Sequence, residues 1–386
     1  LQNSDLFNGN ALKPEAPELI RKLFRGKVSF IRNNNPQQFP SRSITGESIS
    51  GVKYLKFIRV PMTDPHYKTY IKNYTGKIGQ DSLYLLDFSI PNPVSNDDSE
   101  RLYQTKQIRS AISSAPTAWK QKHKIYYEGG KLTGPIFKKE TLKSISSKYH
   151  RMILDLHKWI SDKSGKVCIY HPSVIMSGIF FIEEVLRNNG IIGEFDNASE
   201  STLCTCGIVR KNHDKGHIFS PVRFISMNAK RTHAEMKTSK EKYNAPDNVN
   251  GDKIMMVIGS QIIEKGHNFK NTRLMMVMGR PVNISTLKQV FGRINRSKSH
   301  ILLPLEKRTA EYRIYTTALP TMFKKGVHKN KYKFSHEETK YFEKLDEYDT
   351  IQRIEKVLHE VAWDRCINEN ITELSTGVTD PMADFN

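Results

Sequence analysis

Two arginines, a glycine and a glutamine recur at helical spacing near the end of one segment. Gln289, Gly292, Arg293 and Arg296 fall on one face of a helix, because an α-helix turns once in about 3.6 residues. Two planar guanidinium forks beside a glycine suit a phosphate whose negative charge grows during transfer. The pattern predicts a phosphate-transfer site on a helix from Ser285 to about Ile294. A basic surface helix held by its own side-chain pairs is the alternative that this pattern leaves open.

The stretch before those residues has the pattern of two buried strands joined by a polar turn. The apolar runs Ile254–Ile258 and Leu274–Met278 are short and each is followed by glycine, which is typical of strands covered on both faces of a parallel sheet. The turn Gly259–Asn268 resembles motif V, and Gln289–Arg296 resembles motif VI, of the second motor lobe of superfamily 2 helicases. Asn268 stands where aspartate is commoner, so it lacks the charge that would favour a ribose hydroxyl.

The net charge of the chain indicates which class of partner it binds. Sixty Lys and Arg against 40 Asp and Glu give a formal net charge of +20, which favours nucleic acid as the partner, with an anionic membrane surface as the rival. No apolar run approaches the roughly 20 residues that span a bilayer, and we expect no membrane partner. Four cysteines in 386 residues argue for a reducing compartment rather than a disulfide framework.

The chain divides by pattern into three parts. We expect a connector over 1–45, an α/β lobe over 46–320, and a helical extension with a weakly ordered tail over 321–386. Polar stretches without a sustained period predict insertions in the lobe at about 76–140 and 197–250.

A second candidate for phosphate contact lies in the first half of the lobe. The apolar run Lys166–Tyr170 predicts a buried strand, and Pro172 and Ser173 then predict the start of a helix from about Val174 to Arg187. A strand that leads into a helix N-terminus can hold a phosphate through backbone N–H groups.

Four metal-ligating residue types stand close together in the second polar stretch. Cys204 and Cys206 are followed by His213 and His217, which together could supply four zinc ligands. The Cys-x-Cys spacing is shorter than that of a common zinc knuckle, so zinc is expected to be unlikely here. Two ordinary thiols and two solvated histidines are the favoured interpretation.

The sequence contains no phosphate-binding loop of the Gly-x₄-Gly-Lys-Ser/Thr type and no acidic pair for Mg²⁺ at the end of a buried strand. The chain begins at Leu1, and neither end has the pattern of a natural boundary. We therefore expect a piece of a larger protein, with a first motor lobe upstream, and no ATP hydrolysis by this chain alone.

Several segments between about residues 19 and 320 resemble the helicase-like small subunit of the early transcription factor of large cytoplasmic DNA viruses, the poxviruses and African swine fever virus. They are LFRGKVSFIRNNNPQQFPSR (23–42), FIRVPMTDPHYKTY (57–70), KVCIYHPSVIMSGIFFIEEVLRNNG (166–190), MMVIGSQIIEKG (255–266) and RPVNISTLKQVFGRINRSKSHILLP (280–304). The resemblance implies a RecA-like α/β lobe, a parallel sheet flanked by helices, with insertions and a C-terminal helical extension.

The same resemblance implies roles for individual residues. Arg293 and Arg296 would face the γ-phosphate of ATP, with Gln289 placing them. Glu264, Gly266 and Asn268 would lie beside the nucleotide, and Ser260, Pro172 and Ser173 would contact the nucleic-acid backbone.

The resemblance also implies the setting of the activity. The whole protein would be a DNA-dependent ATPase that uses ATP and Mg²⁺, with DNA, a viral RNA polymerase and a second transcription-factor subunit as partners, in the host cytoplasm and the virion. Two other hypotheses stay open at this stage. One is a non-catalytic platform that binds DNA and polymerase, and the other is a zinc-stabilised nucleic-acid-binding module.

Overall fold

A nine-stranded sheet organises the chain. The computed structural model describes residues 2–9, 11–29, 38–50, 52, 54–74, 78–94, 104–129, 131–213, 216–264, 266–320 and 333–365. The strands of the sheet, in chain order, are β1 Ser41–Thr45, β2 Glu47–Ser48, β3 Lys56–Pro61, β4 Lys166–Tyr170, β5 Ile192–Gly193, β6 Arg223–Met227, β7 Met256–Gly259, β8 Thr272–Val277 and β9 Thr309–Ala318. Their spatial order is β2-β3-β9-β8-β4-β7-β6-β5, with β1 also beside β9.

Helices cover both faces of this sheet. They are α1 Ala16–Phe24, α2 Asp64–Asn73, α3 Thr105–Ser114, α4 Thr117–His123, α5 Ser147–Ser161, α6 Ile179–Asn188, α7 His233–Asn244, α8 Ile284–Phe291 and α9 His336–Glu360. Shorter pieces complete the secondary structure: four-residue helices at Asn3–Leu6 and Lys139–Leu142, hairpin strands at Phe7–Asn8, Ala11–Leu12, Tyr126–Glu128 and Lys131–Thr133, and 3₁₀ turns at Gln80–Leu86, Pro135–Phe137, Arg210–Asn212, Pro246–Asn248, Gln261–Glu264 and Leu305–Lys307. Among the described residues, no helix combines the length and apolar character needed to cross a membrane.

The central strands are parallel and buried on both faces. β4 pairs in parallel with β7 and β8, and among the described strands of the large sheet only the β2–β3 pair is antiparallel. Side chains of β4 alternate between two cores: Val167 and Ile169 join one, while Cys168 and Tyr170 join the other. This alternation follows from the two-residue repeat of a strand. The mostly parallel sheet with helices on both faces agrees with the predicted α/β architecture.

Each core is closed by its own helices. α5 and α6 contribute Met152, Ile153 and Phe181 to the first core, whereas α7, α8 and α9 cover the second. Side-chain caps define where these helices begin. The Ser146 side chain accepts from the Tyr149 N–H (3.1 Å), and Thr232 and Ser335 form capping boxes with the glutamates three residues later.

Several predicted elements are confirmed, and two helices are not as predicted. The strand at Lys166–Tyr170 agrees with its apolar run, and the helix His336–Glu360 agrees with the predicted C-terminal helical extension. The helix predicted from Val174 begins only at Ile179, and the helix predicted to reach Ile294 ends at Phe291. Gly178 explains the first error, because a Cβ there would lie 2.0 Å from the Ser173 carbonyl oxygen and so the chain makes a tight turn before the helix.

The predicted domain limits are too coarse in three places. The stretch 197–250 is not wholly an insertion, because β6 is an inner strand of the sheet. The connector 1–45 contains β1, which pairs with β9, and the stretch 76–140 supplies Ile108, Ile112 and Phe137 to the first core. The predicted tail, 368–386, lies outside the described residues.

A buried lysine joins two carboxylates from distant parts of the chain. Lys148 on α5 is 1 % exposed, and its Nζ lies 2.9 Å from Asp87 Oδ1 and 2.9 Å from Glu337 Oε1. Burial alone would raise the pKa of Asp87, but the Lys148 ammonium and then His171 lower it well below its usual range. Glu337, in the first turn of α9, also accepts the Thr317 N–H (2.8 Å), so the cluster ties α5, α9 and the end of β9 together.

We predict that Lys148→Met destabilises the fold by about 3 to 5 kcal/mol, because the two carboxylates stay buried after their cation is removed. Urea denaturation of the purified chain measures this loss. Lys158→Met is the matched control on the same helix, since its side chain is 78 % exposed and the free energy of unfolding should stay nearly unchanged. Equal midpoints for wild type and Lys148→Met would contradict the proposed importance of the cluster.

Lys166, the first residue of β4, is a second buried cation and has no carboxylate within ion-pair distance among the described residues. Its Nζ donates to the Tyr243 carbonyl (2.8 Å) and lies 4.1 Å from the centroid of the Tyr243 ring. Burial lowers the pKa of Lys166 to about 7, against about 10.4 in an unfolded chain. Between these values the unfolded chain holds a proton that the folded chain lacks, so unfolding takes up a proton.

We therefore predict that this residue makes the free energy of unfolding rise with pH between about pH 7 and about pH 10, by up to about 1.4 kcal/mol per unit. Lys166→Met should remove that contribution. The measurement is the difference in unfolding free energy between wild type and Lys166→Met in urea at neutral and mildly alkaline pH. A difference that stays constant with pH would show that Lys166 remains charged in the folded chain.

Candidate nucleotide and nucleic-acid site

The loops that follow β4, β7 and β8 meet at one edge of the sheet, because the carboxyl ends of parallel strands share an edge. Backbone bonds extend the sheet into these loops: the His171 N–H donates to the Gly259 carbonyl (3.1 Å), and the Met278 N–H donates to the Tyr170 carbonyl (2.8 Å). Gly279 permits the close approach, since a Cβ there would lie 2.7 Å from both His171 Nε2 and Pro172 Cδ.

The residues predicted to contact a nucleic-acid backbone lie at this carboxyl edge but differ in exposure. Ser173 is exposed and Pro172 is half-buried, whereas Ser260 is 3 % exposed, so its side chain does not face solvent. The Ser173 N–H already donates to His171 Nδ1 (3.0 Å). Because α6 begins only at Ile179, the prediction that Pro172 and Ser173 open a phosphate-binding helix N-terminus is wrong.

The loop between β7 and β8 spans the sheet from its carboxyl edge to its amino edge, because both strands run parallel to β4. Glu264 lies in the first half of this loop, and its Oε1 accepts the Tyr170 hydroxyl (2.5 Å). Gly266 is exposed and has φ +70°, a left-handed conformation that favours glycine. Asn268 is half-buried, and its backbone carbonyl accepts the Asn244 side-chain amide (2.9 Å).

Arg293 lies against the middle of that loop. It is 7 % exposed, and its guanidinium donates to the carbonyls of His267 (3.3 Å) and Glu264. The Phe269 N–H donates in return to the Arg293 carbonyl (2.9 Å). Arg293 therefore holds the motif V loop in place. It comes after the last residue of α8 in the chain, and does not project from the face of the helix as the sequence predicted.

Arg296 and Gln289 are both exposed. Arg296 Nε donates to the Gly292 carbonyl (3.3 Å). Neither Arg293 nor Arg296 has a carboxylate within ion-pair distance in the described part of the chain. Burial, and then the charge of Arg296, lower the pKa of Arg293, although a guanidinium stays charged at any physiological pH. Two neighbouring cations without a carboxylate partner in the described part of the chain make this a candidate anion site.

Buried polar atoms without a hydrogen-bond partner concentrate in the same region. They are His267 Nδ1, Asn268 Oδ1, Asn271 Oδ1 and Nδ2, Arg293 Nε and Asn295 Oδ1. Buried polar groups in folded proteins are nearly always satisfied, so a group of exceptions is typical of a place where a ligand or water completes the bonding.

His267 lies in a partly buried place with several cationic neighbours. Burial lowers the pKa of His267, and the charges of Lys240, Arg293 and His233 lower it further. The lowered pKa favours the neutral imidazole, which donates a hydrogen bond from one ring nitrogen and accepts one at the other. The sequence patterns missed His267, although its position between Gly266 and Asn268 could have suggested it, and they missed Tyr170, whose place at the end of β4 is the corresponding indication.

The residues predicted to contact nucleotide or nucleic acid thus form two groups, with the motif V loop as their common element. Arg293 contacts Glu264 directly and borders the stretch that contains Gly266 and Asn268, while Arg296 and Gln289 are exposed beside it. Pro172 and Ser173 belong to the carboxyl edge. A third set, Cys204, Cys206, His213 and His217, comes together elsewhere, with its ligand atoms all within 4.8 Å of one another.

Comparison with known proteins defines the class. Residues 191–298 match the helicase conserved C-terminal domain. This match covers less than a third of the chain, and with the parallel sheet it supports the predicted α/β fold of a helicase C-terminal lobe.

The relatives are viral. The chain is 30% identical over 397 residues to the "Early transcription factor large subunit homolog" of African swine fever virus (isolate Tick/South Africa/Pretoriuskop Pr4/1996), covering 96% of this chain and 34% of that protein. It is 24% identical over 409 residues to an Acanthamoeba polyphaga mimivirus protein whose name proposes an ATP-dependent RNA helicase, covering 93% of this chain and 34% of that protein. The expected likeness to the early transcription factor is confirmed, but the matching relative is named as the large rather than the small subunit.

The chain spans about a third of the length of these relatives. Among solved structures, the C-terminal part of the Fun30 ATPase domain matches with a TM-score of 0.36 and 12% identity, covering 81% of this chain and 99% of that chain.

Proposed function

We propose that this chain is the C-terminal lobe of a nucleic-acid-dependent ATPase that acts in viral early transcription, and that it supplies arginines to an ATP bound by a first lobe. The unpaired cations Arg293 and Arg296, together with the unsatisfied polar atoms around them, are the observation that carries the proposal. ATP with Mg²⁺ is the substrate, and this chain alone does not hydrolyse it, because it has no phosphate-binding loop.

The two arginines differ in the part that we assign to them. Arg296 is exposed and can move toward a phosphate, where a guanidinium stabilises the charge that develops during transfer. Arg293 is buried and already donates to the His267 and Glu264 carbonyls. It orients the loop, and its Nε, which has no hydrogen-bond partner in the structure, is one of the N–H donors left for the nucleotide. Gln289 would place the arginines, and Glu264, Gly266 and Asn268 would border the nucleotide.

The carboxyl edge is the surface that we assign to nucleic acid. Pro172 and Ser173 lie there, and exposed Lys230 follows the carboxyl end of β6. Ser260 is buried, so it would contribute to nucleic-acid binding only by positioning the loop between β7 and β8. Contacts of this kind go to the phosphate backbone and carry no base sequence. Promoter choice would then come from a second transcription-factor subunit, which the name of a large subunit suggests, and from a viral RNA polymerase in the host cytoplasm and the virion, as the family resemblance implies.

A DNA- and polymerase-binding platform without ATP hydrolysis is the second candidate function. The observation in its favour is the burial of Arg293, whose bonds to backbone carbonyls are sufficient for a purely structural role. The two functions differ in what removal of the exposed Arg296 does.

For a protein that carries this lobe together with its first lobe, we predict that Arg296→Ala lowers the nucleic-acid-stimulated turnover of ATP by about 10³-fold or more, with nucleic-acid affinity retained. Arg353→Ala, which removes an exposed arginine of α9, is the matched control and should keep full turnover. Turnover unchanged by Arg296→Ala, with promoter activity intact, would support the platform and overturn the motor.

Binding of DNA by this chain should weaken steeply with salt, because each phosphate contact releases condensed counterions. We predict that Lys230→Ala reduces the slope of log affinity against log salt by about one unit. Lys307→Ala is the matched control, since Lys307 is exposed next to the amino end of β9 and its loss should leave the slope unchanged. Equal slopes for wild type and both variants, measured by fluorescence anisotropy, would exclude the carboxyl edge as the binding surface.

A further inference from the structure

Two thiols and two imidazoles converge in the long connection between β5 and β6. The ligand atoms of Cys204, Cys206, His213 and His217 all lie within 4.8 Å of one another. His213 Nε2 lies 3.2 Å from His217 Nε2, and Cys204 Sγ lies 4.0 Å from His217 Nε2. Four donors of the two types that zinc prefers therefore surround one point.

The backbone around Cys204 is shaped to present its sulfur and that of Cys206. The Gly207 N–H donates to the Cys204 carbonyl (2.8 Å), and the Cys204 N–H donates to the Ile208 carbonyl (2.9 Å). These two bonds close a tight turn that contains both cysteines. Gly207 has φ +87°, and a Cβ there would lie 2.5 Å from Ser161 Oγ. The Ser220 N–H points at Cys204 Sγ (3.4 Å), a contact that stabilises a thiolate.

The histidine arrangement also suits a metal. His217 Nδ1 lies 2.9 Å from the Ile218 carbonyl oxygen, and since a carbonyl only accepts, Nδ1 carries the proton there. His217 Nε2 then has a free lone pair that is directed into the cluster, which is how metal-binding histidines are oriented.

We propose that these four residues bind one Zn²⁺ in a closed, tetrahedral, structural site. With Zn–S bonds of about 2.3 Å and Zn–N bonds of about 2.0–2.1 Å, neighbouring ligands of a tetrahedron lie about 3.3 to 3.8 Å apart. The observed 3.2 Å and 4.0 Å separations need only small side-chain shifts to reach that geometry. On binding, both thiols lose their protons to solvent, and two thiolates neutralise the ion.

Two thiolates with two imidazoles select zinc over Mg²⁺ or Ca²⁺, which prefer oxygen ligands. The position of the site indicates a structural role. Gly207 contacts Ser161 at the end of α5, the helix that leads into the amino end of β4, whereas the candidate nucleotide and nucleic-acid loops lie at the carboxyl edge and between the edges. The site would also fix the connection between β5 and β6, in which Leu203 and Val222, on either side of the four ligands, are buried in the first core. This inference does not rest on the proposed function.

The test is the metal content of the full chain purified without chelator from zinc-supplemented medium. We expect about one zinc per chain by mass spectrometry of the metal, and for the cobalt-exchanged chain the ligand-field bands of tetrahedral Co²⁺ with a thiolate charge-transfer band. A strong zinc chelator should lower the thermal midpoint of unfolding. Zinc well below one per chain, together with no cobalt spectrum, would overturn the proposal.

The variant His217→Asn separates metal binding from general loss of structure. His217 is exposed, so its replacement removes no core packing, yet we expect loss of the zinc and of the cobalt bands and a lower thermal midpoint that added zinc no longer raises. His233→Asn replaces an equally exposed histidine in the first turn of α7 and should keep its zinc. Cys206→Ser, at a half-buried position, should repeat the effect of His217→Asn. Retention of stoichiometric zinc by both cluster variants would show that the metal lies elsewhere.

Discussion

The ion cluster at Lys148 is the interaction on which the arrangement of the lobe depends. Its ammonium lies between Asp87 and Glu337 in the protein interior, and Asp87 Oδ2 lies 3.4 Å from His171 Nε2. The four residues are far apart in the chain and come from a loop, α5, the end of β4 and the first turn of α9. An isolated charge in a protein core is strongly unfavourable, so each residue is tolerated only when the other segments are in place. We infer that the cluster specifies how these segments meet.

This cluster reaches the candidate site through His171. Its ring faces Asp87 on one side, accepts the Ser173 N–H on the other (3.0 Å), and packs against Gly279. The loops after β4 and β8 are thereby fixed relative to the hydrophobic interior. The loop after β7 is fixed by a different means, the bonds of Arg293 to the His267 and Glu264 carbonyls. The buried ion cluster therefore stabilises the loops after β4 and β8, and Arg293 stabilises the loop after β7.

The parts of this structure that are local in sequence could be predicted, and the parts that depend on distant partners could not. Lys166–Tyr170 is recognisable as a buried strand because its own apolar run is sufficient. The strand Arg223–Met227 was hidden inside a polar stretch, since only its neighbours β5 and β7 show that it is an inner strand. Lys148 has the pattern of an ordinary helix-surface lysine, and its counter-charges are 61 and 189 residues away.

The candidate site shows the same division. Residue types and spacing nominate Arg293 and Arg296 as candidates, because motif VI is contiguous in the chain. They were not sufficient to show that the helix ends at Phe291, that Ser260 is buried, or that Cys204 and His217 approach to 4.0 Å. Each of these facts depends on the path of a loop, and loop paths follow from contacts that a one-dimensional pattern does not contain.

The burial of Arg293 has a consequence for how the two groups of site residues are connected. The loop that Arg293 holds begins at Ser260, on the carboxyl edge assigned to nucleic acid, and continues past Gly266 and Asn268, on the side assigned to the nucleotide. Under the proposed function, a phosphate that draws the Arg293 guanidinium toward itself competes with the His267 and Glu264 carbonyls for the same N–H groups. The nucleotide and the nucleic acid would then act on one short segment, and no separate relay between the two surfaces is required.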